Sequence, residues 1–157
     1  MHSKNAFTLL EICLAITIGV LIFTFAIPSI EGLFAQQKLN KSFEALDELV
    51  AEAHKLSVLE RRPYLLSWEK EGVVLRPEFP VGKDEADGVA MIEARENESY
   101  DIELTAALVE QPEKEWVFWP SGNCEPATIT YQGRDGKWTA HYDPLTARAG
   151  EIENETR

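Results

Sequence analysis

The stretch NAFTLLEICLAITIGVLIFTFAIPSI, residues 5–30, decides how this chain is read. From Ile12 to Ile30 it holds 19 residues without a charge. That matches the roughly 20 residues a helix needs to cross a hydrocarbon core. Glu11 stands at its start, and a carboxylate at membrane depth costs about 2.5–3.5 kcal/mol on insertion scales. Something must offset that cost. Lys4 precedes the run and Glu31 follows it. Positive residues stay on the cytoplasmic side, so the amino end is expected inside and the bulk of the chain translocated.

Three readings of the run compete. A secretory signal peptide would need small residues at a cleavage point. The sites ending at Ala26 and Ala35 are poor, since Ile27 and Pro28 follow the first and Leu33 sits two residues before the second cut. A retained signal anchor fits the hydropathy and leaves Glu11 without a purpose. The remaining reading places the cut between Ala6 and Phe7, before the run. It frees an amino group on Phe7, one helical turn from Glu11, about 6 Å along the axis and on the same face. A carboxylate there pairs with an amine, its own or that of a neighbouring subunit. Buried, such a pair specifies register more than it stabilises.

The residues Ala6, Phe7-Thr8-Leu9-Leu10-Glu11, the apolar run and Ala26-Ile27-Pro28-Ser29-Ile30 resemble the class III signal of type IV pilins and of type II secretion pseudopilins. The resemblance implies a prepilin peptidase that cuts before Phe7 and methylates its nitrogen. It also implies an assembly role for Glu11, the fifth mature residue, and a helix kink at Pro28, the twenty-second. Where that family usually has glycine before the cut, this chain has Ala6. The implied parts are a leader over 1–6, a long helix over 7–60 whose residues 7–30 span the membrane, and an extracytoplasmic β-rich domain over 61–157. The implied location is the bacterial inner membrane, single-pass, with the carboxy-terminal domain in the periplasm. The implied partners are the peptidase, the helices of other pilins or pseudopilins, and membrane lipid before assembly.

Beyond the run, Leu39, Phe43, Leu46, Val50 and Ala53 recur at spacings of four and three, widened by Leu49 and Leu56. This is an amphipathic helical stripe. Lys41, Glu44, Glu48, Glu52 and Lys55 lie on the other face, and Pro63 forbids continuation. About two heptads are present where a coiled coil wants three or four, so the stripe is expected to pack on the rest of the chain.

After Pro63 the period changes. YLLSW and GVVLRP flank EKEG and read as a hairpin over 64–76. The acidic stretches VGKDEADG and EARENESYD read as loop, and IELTAALV over 102–109 as a strand. EWVFWPSG reads as a strand ending at Pro120, and ATITYQ-GRDG-KWTAHYD as a second hairpin. The tail is expected to add one short strand and fray. Trp68, Phe118, Tyr131 and Trp138 are expected in the core or on sheet faces. The fold class is α+β: a long amino-terminal helix packed on a small antiparallel sheet domain. Trp119-Pro120-Ser121-Gly122 and Asp143-Pro144-Leu145-Thr146 further resemble the end of minor pseudopilins of the GspH/FimT type, with Ala147 where a glycine is usual.

Little in the sequence points to catalysis, and no enzyme activity, cofactor or metal is expected. His54 and His141 have no histidine or cysteine at metal-ligand spacing. The glycine-rich phosphate loops and the G-x-S-x-G elbow are absent. Asp84, Glu85 and Asp87 lack the alternate-position pattern of a calcium loop. Cys13 and Cys124 lie too far apart in character to pair, and Cys124 is expected as a semi-buried free thiol. Asn97 and Asn154 match the N-glycosylation pattern, read here as chance. With 27 acidic against 15 basic residues the chain carries a net charge of -12 and repels nucleic acid. Some FimT-like pilins bind DNA through a basic tail; this tail has two arginines, Arg148 and Arg157, against three glutamates.

Overall fold

The computed structural model describes residues 8–105 and 114–156, without the side chains of 25–31 and of 156. One helix, α1, runs from Leu9 to Glu60. Thr8 caps its start: the backbone N–H of Glu11 donates to Thr8 Oγ1 at 3.3 Å. Its end follows from Pro63 three residues on, and Arg61 turns the chain away in the left-handed region at φ 54°. At 1.5 Å per residue, 52 residues make a rod about 78 Å long.

Two four-stranded antiparallel sheets follow. The first has the order β3-β2-β1-β5, built from β1 (Tyr64–Glu69), β2 (Gly72–Pro77), β3 (Ala90–Glu93) and β5 (Glu115–Phe118). The second has the order β4-β6-β7-β8, built from β4 (Ser99–Leu104), β6 (Ala127–Gly133), β7 (Gly136–Tyr142) and β8 (Ala149–Thr156). A four-residue helix, α2 (Lys83–Ala86), precedes β3.

The helical stripe lands where its period puts it. Leu39, Leu46, Leu49, Val50 and Ala53 are buried, with Phe43 and Leu56 packed at the margin. The sheets supply the opposing wall by alternation: Tyr64 and Leu66 from β1, Val73 and Leu75 from β2, Trp116 and Phe118 from β5. From the second sheet come Ile129 and Tyr131 of β6 and Trp138, Ala140 and Tyr142 of β7. Trp138 locks helix to sheet. It stacks on Tyr131, meets Phe43 edge-on at 5.4 Å, and its indole N–H donates to Ser42 Oγ at 2.8 Å. Of the four aromatics expected inside, Phe118, Tyr131 and Trp138 are buried and Trp68 is half-buried.

Both hairpins take the expected places with two-residue turns, Lys70-Glu71 and Arg134-Asp135. Gly72 sits at φ +148° with its α-carbon against Ile92 O, so close that a methyl group would overlap that oxygen.

Four expectations are corrected. The acidic stretches read as loop contain α2, the last residue of β3 and the first half of β4. Their exposed acids hide a period of two, since β3 and β4 alternate half-buried with exposed residues. The strand expected over 102–109 starts earlier, at Ser99, and β4 closes at Leu104; residues 106–109 lie outside those described. β5 stops at Phe118, because Trp119 turns back to accept from Gly122 N–H at 2.9 Å. The tail, expected to fray after a short strand, forms the eight-residue β8 on the register of β7.

Candidate functional site

The first half of α1 stands clear of the sheets. Leu9, Leu10, Ile12, Leu14, Ile16, Ile18, Val20, Leu21, Ile22 and Phe23 are all exposed, Leu9 by 82%. A helix apolar on every side is built to be covered on every side. The two hydroxyls among its described side chains, Thr17 and Thr24, need no outside partner. Thr17 Oγ1 donates to Cys13 O and Thr24 Oγ1 to Val20 O, each at 2.8 Å. Bonds of this kind satisfy a hydroxyl inside an apolar surrounding.

Glu11 is then the single acidic or basic side chain over residues 8–24. It lies in the first turn of α1, where the unpaired N–H groups carry partial positive charge and favour an anion. Its own backbone is held by the Thr8 cap, so the carboxylate leaves the helix from a fixed point. Ala6 and Phe7, the expected cleavage pair, lie outside the described residues. Pro28 falls within α1, with its side chain among those not described. Among the described residues no helix is long and apolar enough to cross a membrane.

At the other end of α1 a polar cluster ties three elements. Arg62 grips Glu85 of α2 with two parallel bonds, Nη1 to Oε2 at 3.0 Å and Nη2 to Oε1 at 2.8 Å. Its Nε reaches Glu60 Oε2 at 2.7 Å, and Tyr64 O–H donates to the same oxygen at 2.7 Å. Glu85 also accepts from Val81 N–H at 2.7 Å. Arg62 and this amide hold the Glu85 carboxyl down at about 2, and the hydrogen bonds from Tyr64 and Arg62 lower Glu60. Desolvation raises the Tyr64 phenol. Sequence reasoning missed this cluster. Glu60, Arg62 and Tyr64 are local, but nothing in the sequence links them to Glu85.

The two resemblance turns are built from the same parts. Asp143 Oδ1 accepts from Leu145 N–H, Thr146 N–H and Thr146 Oγ1, each at 3.0 Å, which lowers its carboxyl. Ala147 closes that turn at φ 50°, a left-handed conformation suited to the glycine it replaces. Gly122 at φ +84° closes the other turn, and its carbonyl lies 2.9 Å from His54 Nε2. His141 Nδ1 pairs with Thr128 Oγ1 across β6 and β7 at 2.8 Å. Cys124 is a buried free thiol, raised to about 11 by burial. Among the described residues no group of three His, Cys, Asp or Glu side chains could hold a metal ion.

No protein-family model matches the chain, and no curated protein matches it. Two solved structures are similar. One is the minor pseudopilin EpsH from the type 2 secretion system of Vibrio cholerae, at 12% identity and a TM-score of 0.48, over 74% of this chain and 95% of that one. The other is the type IV minor pilin FimU of Pseudomonas aeruginosa, at 14% identity and a TM-score of 0.50, over 74% of this chain and 91% of that one. At 14% identity the likeness to FimU is one of fold, and the fold is pilin-like.

Proposed function

We propose that the chain is a minor pseudopilin of a type II secretion pseudopilus, assembled at or near the filament tip to support protein export. The observation that carries this reading is the first half of α1: a helix exposed and apolar on all sides, its Thr17 and Thr24 hydroxyls internally bonded, with one carboxylate at a capped first turn. Lipid would cover the apolar faces before assembly and other subunits' helices afterwards, while the Glu11 carboxylate needs a partner that apolar surface cannot give. A free Phe7 amine, released by a prepilin peptidase at Ala6 and methylated, supplies that partner on a neighbouring subunit. The membrane-spanning role of residues 7–30, the cytoplasmic amino end and the periplasmic domain belong to this proposal. The role is structural, with the peptidase acting on the chain as a client.

A type IV pilus minor pilin is the second reading, favoured by the likeness of fold to FimU. The acidic surface speaks against DNA uptake within it, since phosphate contacts dominate DNA affinity. Mass spectrometry of the amino-terminal peptide from host membranes tests both. A peptide beginning at N-methylated Phe7 supports a filament subunit. A start at Met1 leaves a signal-anchored binding module, and a start after Ala26 or Ala35 a secreted domain.

A further inference from the structure

The outer edge of β8 is unpaired among the described residues, since β8 ends the order β4-β6-β7-β8. It is a long edge, eight residues without proline. Natural edges are usually short, covered or interrupted. The register divides its side chains. Ile152 and Asn154 pair with Ala140 and Trp138 and so share the inner face, whereas Glu153 and Glu155 pair with Thr139 and Lys137 on the outer face. Glu151 precedes them at the irregularity in the register.

The helix does not fill the space beneath this edge. A cavity of about 620 Å³ opens between Phe43, Asp47 and Ala51 of α1 and Ala149 and Ile152 of β8. Ile152, an inner-face residue, is therefore still 36% exposed. Open backbone groups and an open inner notch lie along the same edge. An added strand would use both, since alternate side chains of one strand point to opposite faces.

We infer that β8 accepts an extended segment of another chain as a ninth strand, and that the segment is cationic, with basic residues alternating with small apolar ones. The apolar set enters the notch against Phe43 and Ile152. The basic set lies on the outer face beside Glu151, Glu153 and Glu155, in a chain whose net charge is -12. A second copy of this chain is disfavoured as the occupant. Two β8 strands side by side would bring rows of glutamates together, and like charges across a strand pair destabilise it. Main-chain bonds give such a complex its strength and the alternate pockets its selectivity. The inference stands apart from the filament reading and is tested without it.

The test uses the full chain in a non-ionic detergent and a labelled, end-capped eight-residue peptide alternating lysine with valine. A block peptide of the same composition is the first control. Two further peptides carry N-methyl groups on alternate residues, in the two possible registers. The expected result is binding about tenfold tighter for the alternating than for the block peptide. One N-methyl register abolishes that advantage and the other keeps it, and amide exchange slows over residues 149–156. Joint Glu151→Gln, Glu153→Gln and Glu155→Gln substitution weakens binding while the circular dichroism of the free chain is unchanged. Equal binding of the alternating and block peptides, equal effects of the two N-methyl registers, or no added protection in β8 would each overturn the inference. So would sedimentation showing that the chain dimerises through β8 by itself.

Discussion

Ser42→Ala tests whether Trp138 is the dry lock between helix and sheet. The Trp138 indole is fully buried, and its N–H is a donor with one acceptor in reach, Ser42 Oγ at 2.8 Å. Removing that oxygen leaves a buried N–H orphaned, which costs about 1–3 kcal/mol. Alanine is the better helix former by up to about 0.5 kcal/mol, so the net loss is about 0.5–2.5 kcal/mol. Trp138→Phe destabilises by its own route, a cavity beside Phe43 and Tyr131. In that background Ser42→Ala has no N–H to orphan and should be neutral or slightly stabilising. The double-mutant cycle should therefore return a coupling of about 1–3 kcal/mol. Urea unfolding of the full chain in detergent, followed by far-ultraviolet circular dichroism, measures all four corners. A Ser42→Ala cost that is the same in both backgrounds, within about 0.5 kcal/mol, would refute the lock.

Other perturbations address other elements. Gly72→Ala puts a methyl 1.8 Å from the Ile92 carbonyl oxygen, a contact that only backbone movement relieves; a loss of about 3 kcal/mol or more and early proteolysis of residues 83–94 are expected, and a wild-type unfolding midpoint would contradict the packing. The Glu85 carboxyl is held at about 2 in the fold, below its ordinary value near 4.5, so it adds stability that is present above pH 4.5 and lost as the pH falls toward 2. Glu85→Gln should flatten the acid limb of the stability curve in that window, and an unchanged limb would exclude the Arg62 grip as its source. Glu11→Ala should insert into membranes normally yet enter filaments poorly, as read by membrane fractionation and crosslinking to neighbouring subunits; normal incorporation would remove the registration argument. Arg148→Ala with Arg157→Ala should leave any DNA retention unchanged, and a large loss in a gel-shift assay would reverse the reading of the acidic tail.

The parts of the fold legible in the sequence are those with one dominant period. Leu39 through Ala53 keep the helical spacing because one face meets a sheet and the other meets water, and they are buried as expected. The hairpin over 127–142 was legible because strong strand formers flank a glycine-bounded turn. The start of β4 and all but a fragment of β8 were not, and for one reason. They lie at the ends of their sheets, where only half of each residue pair is covered, so acids at alternate positions read as loop composition. Glu11 stands out in the sequence through cost, since a carboxylate in an apolar run demands a partner, and the structure places it in the capped first turn of α1. The Arg62–Glu85 grip was not legible, because 23 residues and a change of element separate its members.

The length of α1 makes it a gauge as well as a rod. Glu11 and the first buried residue of the stripe, Leu39, are 28 positions apart on one helix, about 42 Å along its axis and nearly eight turns around it. Their relative azimuth is set by residue count. Deleting one residue between them would lower the sheets by about 1.5 Å and swing them through about 100° relative to the carboxylate, without altering a single side chain at either end. Deleting seven would shorten the reach by about 10 Å and restore the heading to within about 20°. A surrounding assembly that engages both ends would therefore tolerate changes in this stretch of α1 in steps of whole turns and reject the lengths between.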